Sequence, residues 1–466
     1  MSKLGRLGAA TLAVTLGSAL LGAVPPAGAA TTGAPCATGG TAYQYVVLYA
    51  PHTPQRTVQR GVTGNCGKLD NYYAEIGVAV ATSADPSFET RVGVDKAYSA
   101  KKAKDAGFAG RSRGRAEKLE SVRSVAEGED LSAQSWDMRA IKADKANQVY
   151  TGSRDVVVGV LDSGVDPTHP DLVKALDPKL SAGCDTGKPI NEVSAWQPLG
   201  SAHGTHVAGT IAAAKDGKGI TGVAPGVRIA SVRVINDEGM IYPESAVCGF
   251  MWAAEKKFAV TNNSWFMDPF AFWCSDKPGE KVGYEAIRRA VAYAHRKDVL
   301  TVAASGNYSM DITKPEYDPG LPHPVNEKCD FLPAALPGVV SVSSTGFDGK
   351  LSSFSDFGKD AITVSAPGGE FDDPPAGQGP GCPLSTLPGG GYGSMCGTSM
   401  ASPHAAGVAA LVASRLHIRS AELLRFLLTA EADPKPCPAD DKRCTGSRLN
   451  NSFFGRGQVN ALTAVR

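Results

Sequence analysis

The chain has 466 residues, of which 42% are hydrophobic and 20% charged, so two or three folding units are expected and wholesale disorder is excluded. With 47 basic and 46 acidic residues the net charge is +1, which argues against a nucleic-acid binder that depends on a positive field. The 53 glycines and 31 prolines follow no G-X-Y period, which excludes a collagen-like chain.

The N-terminus carries the features of a secretory signal. Lys3 and Arg6 precede an apolar run at residues 7–24, two prolines end that run, and small residues follow at positions 27–29. We therefore predict a signal peptide at residues 1–29. The alternative is an uncleaved anchor, since the run is just long enough to span a bilayer. Cleavage predicts a secreted, extracellular protein with no membrane association.

The ten cysteines are then expected in disulfides, because export places the protein in an oxidising environment. No C-x-x-C pair occurs, which weakens zinc and thioredoxin interpretations. Local spacing favours the pairs Cys437–Cys444 and Cys382–Cys396.

The segment from residue 30 to about 130 differs from the rest of the chain. YQYVVLY at residues 43–49 predicts a strand, and weak alternation at residues 74–81 predicts a second one. Basic residues cluster between residues 101 and 123. Such a cluster is a solvated helix face or linker, or an exposed, cleavable connection between a prosegment and a mature domain.

From residue 131 onward, short apolar runs alternate with helical patterns. This alternation predicts βαβ units around a parallel sheet that is covered on both faces. The predicted strands lie at residues 156–161, 228–234, 300–304, 339–342 and 362–364, and the predicted helices at residues 245–256, 284–295 and 402–415.

Three polar clusters lie at element ends in this region. Asp162 follows the strand at residues 156–161 directly, with Asp166 and Asp171 as rival carboxylates in the next loop. His203 opens a helix, and Ser399 opens another. Taken singly, each has an ordinary structural interpretation, such as a helix N-cap for the serine. At the carboxyl end of a parallel strand and at helix N-termini, however, such side chains are also placed to form a site.

His203 and His206 are three residues apart, a spacing that is also compatible with metal ligands on one helix face. The zinc-protease motif H-E-x-x-H is absent, because no glutamate accompanies them.

Together the motifs VLDSGVD, HGTHVAGT and GTSMASPHAAGV, in the order Asp, His, Ser, closely resemble the signatures of the subtilisin-like serine proteases, the subtilases. The resemblance covers about residues 133–465. It implies an α/β, three-layer fold with a mainly parallel central sheet, preceded by a small α+β propeptide domain. The implied domains are a signal peptide (1–29), a propeptide (30–130) and a catalytic domain (131–466).

The resemblance also implies roles for individual residues. Asp162 corresponds to the triad aspartate, His203 to the general base and Ser399 to the nucleophile. Asn307, which ends the stretch LTVAASGN, corresponds to the oxyanion-hole asparagine. His206 is left as a packed helix residue.

The residues implied to bind substrate are Ser264, Trp265, Ala304 and Gly306. Here the chain departs from the family, because Trp265 and Phe266 replace the Leu and Gly of the usual S-L-G. We therefore predict no preferred substrate residue.

The resemblance requires no cofactor for the chemistry but implies a structural calcium site. Its candidate ligands are Asp171, Asp216 and Gln134. Lys215 and Lys218 in the same loop would repel a cation, which argues against the site.

These observations predict a secreted, monomeric serine endopeptidase that acts on proteins or peptides through an acyl-enzyme and is inhibited by its own propeptide. No nucleic-acid or membrane partner is expected. The main alternative is a catalytically inactive, secreted binding protein with the subtilase fold. An esterase is disfavoured, because the G-x-S-x-G match at residues 110–114 lies in the basic cluster with no strand before it.

Overall fold

The computed structural model describes residues 35–37, 39–107, 119–123, 129–318, 321–372 and 379–466. Residues 1–36 and 37–466 form separate units, and the fold below is that of the second unit. The predicted signal peptide and the G-x-S-x-G match at residues 110–114 lie outside the described residues. So do four basic residues of the predicted connection, namely Arg111, Arg113, Arg115 and Lys118.

The N-terminal region forms a small α+β layer. Its elements are β1 (Tyr43–Leu48), α1 (Gln55–Thr63), β2 (Lys68–Tyr73), β3 (Val78–Ser83), α2 (Phe88–Val92), β4 (Ala97–Tyr98) and α3 (Ala100–Asp105), followed by β5 (Leu119–Arg123). The sheet has the order β2-β3-β1-β4 with antiparallel pairs. Successive β1 side chains point to opposite faces, so Tyr45 and Val47 pack on α1 and α2 while Val46 faces the large domain.

The remaining elements follow in chain order. They are a 3₁₀ helix (Ser132–Gln134), α4 (Trp136–Ala140), α5 (Ala143–Val149), β6 (Val157–Asp162), β7 (Ala182–Gly183), α6 (Val193–Trp196), α7 (His203–Ala212), β8 (Arg228–Arg233), α8 (Pro243–Lys256), β9 (Val260–Asn263), β10 (Phe272–Cys274), α9 (Glu280–Arg296), β11 (Leu300–Ala304), β12 (Cys329–Phe331), β13 (Val340–Thr345), β14 (Val364–Pro367), β15 (Leu384–Leu387), β16 (Gly391–Met395), α10 (Thr398–Leu416), α11 (Ala421–Ala430), β17 (Gly446–Ser447), β18 (Asn450–Asn451) and a second 3₁₀ helix (Thr463–Val465).

Within the described residues, seven of these strands form one sheet in the order β14-β13-β11-β9-β6-β8-β7, and each neighbouring pair is parallel. The apolar core on one face includes residues of α7 and α10, and that on the other face includes residues of α8 and α9. This arrangement confirms the predicted three-layer α/β fold. It also places the carboxyl ends of β6, β9 and β11 side by side at one edge.

The predicted elements are confirmed with small shifts of their ends, but many further elements were not predicted. The predicted strand at residues 74–81 is displaced to Val78–Ser83. The elements that were not predicted include α1, β2, α5, β9, β15, β16 and α11. In β9, buried positions are filled by Asn262 and Asn263, whose amides are hydrogen bonded, so no apolar periodicity marks the strand.

Within the described residues from 129 onward, four disulfides join distant and local parts of the chain. Cys437–Cys444 and Cys382–Cys396 confirm the two pairs predicted from spacing. Two longer links, Cys184–Cys248 and Cys274–Cys329, were not predicted. The described part of the chain contains no free cysteine and no helix with the length and apolar character to cross a bilayer.

Candidate active site

Asp162 and His203 meet where β6 ends and α7 begins. Asp162 is fully buried, and its Oδ1 accepts a hydrogen bond from the Ser163 N–H at 2.7 Å. His203 Nδ1 lies 2.8 Å from Asp162 Oδ1 and 3.0 Å from Oδ2. A methyl group at Gly204 would come within 2.4 Å of Gly164 O, so glycine lets α7 begin this close to the strand.

This contact sets the chemistry of the imidazole. The buried carboxylate holds the proton of His203 on Nδ1, which makes Nε2 the basic nitrogen of the ring. His203 is only 6% exposed, so little water surrounds the pair.

His206, on the same helix, has a different environment. It is fully buried, and its Nε2 forms a hydrogen bond with Gly393 O at 3.1 Å. Burial, and then the neighbouring His203, lowers the pKa of His206 to about 3. It is therefore a neutral, packed side chain, and the two histidines do not form a metal-binding pair.

Ser399 is the second residue of α10 and is anchored to the segment after β9. Its Oγ donates to Ser264 O at 3.1 Å, and Ser264 Oγ donates to Ser399 O at 2.7 Å. Val160 pairs with Asn262 in the parallel β6–β9 ladder, so Asp162 and Ser264 lie at the carboxyl ends of adjacent strands. The Asp162–His203 pair and Ser399 are therefore carried by the same edge of the sheet.

A buried polar network supports the serine from below. Ser402 Oγ donates to Asn262 Oδ1 at 2.7 Å, and Asn262 Nδ2 donates to Ser264 Oγ at 2.9 Å. Since Ser264 in turn bonds to the backbone of Ser399, the first turn of α10 is fixed to β9. Sequence reasoning named Ser264 but gave Asn262 and Ser402 no role.

Asn307 follows β11 and is oriented by Thr398, the residue before Ser399. The Thr398 N–H and Oγ1 donate to Asn307 Oδ1 at 2.9 and 2.8 Å, and the Gly306 N–H donates to Thr398 Oγ1 at 3.3 Å. With its oxygen held in this way, the amide directs its NH₂ group to the opposite side. Sequence reasoning named Asn307 but missed Thr398, although Thr398 stands in the motif GTSMASP.

Of the predicted substrate-binding residues, Ser264, Ala304 and Gly306 border this edge, whereas Trp265 does not open onto it. Trp265 is 4% exposed, its Nε1 donates to Leu161 O at 2.7 Å, and its ring packs near Phe250. Its placement as a pocket residue is corrected: the indole points into the core beneath the sheet edge. The following Phe266 is half-buried instead.

Two of the candidate calcium ligands, Asp171 and Asp216, have protein partners. Asp171 Oδ2 accepts the Ile220 N–H at 3.1 Å, and the Tyr392 hydroxyl hydrogen bonds to the same carboxylate. Asp216 forms an ion pair with Lys174 at 3.4 Å. Among the described residues, Asp171 belongs to no group of three ligand side chains close enough to share an ion.

Gln134 ends the 3₁₀ helix Ser132–Gln134 and adds no acidic oxygen to this set. The Asp171 carboxylate accepts hydrogen bonds from protein donors, which argues against a cation at this place, and the calcium site stays a prediction. Burial is the main factor that raises the pKa of Asp171.

Comparison with known proteins agrees with this geometry. The model of the subtilase family matches residues 153–457. Subtilisin NAT from Bacillus subtilis subsp. natto is 32% identical over 321 residues, which cover 69% of this chain and 68% of the relative. Fervidolysin from Fervidobacterium pennivorans is 32% identical over 310 residues, 61% of this chain, and the match spans only 38% of fervidolysin's own length.

Solved structures show the same fold. The epidermin leader peptide processing serine protease of Staphylococcus aureus superposes with a TM-score of 0.67 at 21% identity, covering 91% of this chain and 98% of that one. A lanthipeptide protease is similar with a TM-score of 0.56 at 27% identity, covering 72% and 94%. The chain belongs to the subtilase family and is a serine endopeptidase.

Proposed function

We propose that the protein hydrolyses peptide bonds in proteins through an acyl-enzyme, with Asp162, His203 and Ser399 as its triad. The observation that carries the proposal is the 2.8 Å contact between His203 Nδ1 and Asp162 Oδ1. His203 Nε2 takes the proton of the Ser399 hydroxyl as Oγ attacks the carbonyl carbon. The same nitrogen then returns the proton to the leaving amine, and a water molecule, activated in the same way, releases the acyl group.

Two donors stabilise the oxyanion formed in this attack. One is the Asn307 NH₂ group, oriented by the two hydrogen bonds from Thr398. The other is the backbone N–H of Ser399, which lies in the first turn of α10, where the helix dipole favours negative charge. A neutral amide donor at this place stabilises the alkoxide without supplying a proton that competes with His203.

The proposal is tested with two serine variants on the same helix. Ser399→Ala removes the nucleophile and is expected to lower casein hydrolysis by at least about 10³-fold and to abolish labelling by an active-site-directed phosphonate. Ser414→Ala alters a buried serine further along α10 and is expected to keep both properties. Equal activity of wild type and Ser399→Ala would contradict the proposal.

We propose further that residues 30–130 are a propeptide that covers and inhibits the catalytic domain. In support, Arg289 on α9 donates to the Tyr49 and Ile76 carbonyls at 2.8 and 3.1 Å. Lys101 lies 2.8 Å from Glu238, and hydrogen bonds from Lys101 and then Lys104 lower the pKa of Glu238 to about 2.

Removal of this region distinguishes the enzyme from the alternative, an inactive secreted binding protein of the same fold. An active protease is expected to shorten its own chain and to appear in the culture medium without the N-terminal region. The Ser399→Ala protein is expected to retain it. Export is also supported by the four disulfides, which form in oxidising compartments.

A further inference from the structure

The geometry of the site defines where the side chain of the substrate residue that supplies the attacked carbonyl must lie. The carbonyl carbon must reach Ser399 Oγ while its oxygen points toward Asn307. Ser264 O accepts a hydrogen bond from Ser399 Oγ, and Asn307 follows directly after Gly306. These two chain segments continue from neighbouring parallel strands, β9 and β11. The side chain of the residue that supplies the carbonyl therefore enters between residues 264–266 and residues 304–306.

Three aromatic rings meet in this space. The ring centroids of Phe266 and Phe331 are 5.7 Å apart, those of Phe266 and Tyr308 are 6.2 Å apart, and those of Tyr308 and Phe331 are 6.4 Å apart. Phe266 belongs to one of the two facing segments and Tyr308 lies two residues after the other; both are half-buried, whereas Phe331 is 1% exposed. Phe331 thus bridges the two segments from below.

Phe331 also touches the backbone directly before Asn307. A Cβ atom placed on Gly306 would lie only 2.9 Å from Phe331 Cζ. The ring therefore lies against Gly306, where a long substrate side chain would need room.

The ring is held in place from three sides. Phe331 pairs with Phe272 in the short β10–β12 ladder, and the Cys274–Cys329 disulfide joins the same two strands. The Met267 N–H donates to Leu332 O at 3.2 Å, which attaches the end of β12 to the segment that carries Phe266. Moving Phe331 aside would require these links to open.

We propose that Phe331 fills the pocket for the residue whose carbonyl is attacked, so that the protease prefers substrates with Gly, Ala or Ser at that position. The inference rests on the proposed function of Ser399 and Asn307. Excess volume in a closed pocket is costly, since one extra methylene group changes the kcat/KM discrimination by about 10–200-fold. Phe331 is then a specificity-determining residue that the family motifs do not reveal.

The test uses a series of chromogenic tetrapeptides that differ only in the residue before the cleaved bond. For the wild-type protein we expect kcat/KM for Ala to exceed that for Phe, Leu and Lys by at least ~10-fold. Phe331→Gly is expected to raise the ratio of kcat/KM for the Phe peptide to that for the Ala peptide by at least ~10-fold. Rates are divided by the concentration of active sites, titrated with the phosphonate, so that unfolded protein is not counted.

Two further variants keep the result interpretable. Phe266→Ala opens the same space from its half-buried side and is expected to act in the same direction if Phe331→Gly does not fold. Phe453→Ala removes another buried ring, which packs on Phe357, and is expected to keep the wild-type preference.

A wild-type preference for large or charged residues would overturn the inference, as would an unchanged preference in both Phe331→Gly and Phe266→Ala. Absence of phosphonate labelling in the wild type would instead contradict the proposed function, so the two failures are distinguishable.

Discussion

Asp356 is a buried carboxylate beside the loop that presents Asn307. Its Oδ1 accepts the N–H groups of Tyr308 and Met310, each at 2.9 Å, and its own N–H donates to Gly306 O at 2.9 Å. Its Oδ2 makes no hydrogen bond to any described residue. Desolvation raises the pKa of Asp356 from 3.8 to about 8. The carboxyl therefore shapes the oxyanion loop in its protonated form.

This raised pKa predicts how stability depends on pH. Between about pH 4 and pH 8 the folded chain holds a proton that the unfolded chain has released, so the contribution of Asp356 to the free energy of unfolding falls as pH rises. Asp356→Asn removes this titration. We expect the free energy of unfolding of the variant, taken relative to that of its parent, to be at least about 1 kcal/mol higher at pH 9 than at pH 5.

The measurement is denaturant unfolding of the Ser399→Ala protein, with and without Asp356→Asn, so that self-digestion does not interfere. A difference between the two proteins that is the same at both pH values would show that Asp356 does not titrate in this range.

At the scale of elements, the sequence predicted those strands and helices in which an apolar or small-residue pattern lies next to a site residue. The apolar run that ends at Asp162 predicted both β6 and its carboxylate, and the small residues around Ser399 predicted the start of α10. Elements whose buried positions are polar were not predicted; an example is β9, in which Asn262 and Asn263 are buried.

Long-range packing was likewise beyond single-sequence reasoning. Phe331 lies about two dozen residues after Asn307 in the chain, and only the fold brings its ring to Gly306. The direction of the Trp265 side chain was also decided by its bond to Leu161 O, a contact that no spacing in the sequence indicates.

The loop before Ile220 gives a prediction about metal removal. Tyr392 on β16 and the Ile220 N–H supply the donors to Asp171. We therefore expect a chelator to change the free energy of unfolding by less than about 1 kcal/mol. We expect Tyr392→Phe to lower the free energy of unfolding by about 1–3 kcal/mol, because a buried carboxylate loses a hydrogen bond. Thermal unfolding of the Ser399→Ala protein measures both. A chelator effect that is present in this protein but disappears on adding Asp171→Asn would establish an ion at Asp171.

At the scale of the whole molecule, the path of the chain past Ser399 bears on how the N-terminal region is removed. Strand β5 pairs antiparallel with β16, with Leu119 opposite Met395 and Arg123 opposite Tyr392. Met395 is four residues before Ser399, so the chain moves away from the nucleophile as it runs from Leu119 to Arg123. A scissile carbonyl must come within about 3.5 Å of Ser399 Oγ.

This moves the end of the proposed propeptide from residue 130 to before Leu119: we predict that self-processing cuts on the amino side of Leu119 and leaves residues 119–123 in the mature protein. Retained in this way, β5 completes the three-stranded sheet with β15 and β16, whose Ser385 and Thr386 side chains bond to the backbone of α7. N-terminal sequencing of the active protein measures the cut, and the Ser399→Ala protein is the unprocessed control. A mature N-terminus at residue 124 or later would contradict the prediction, because the strand that borders the site would then have been lost with the propeptide.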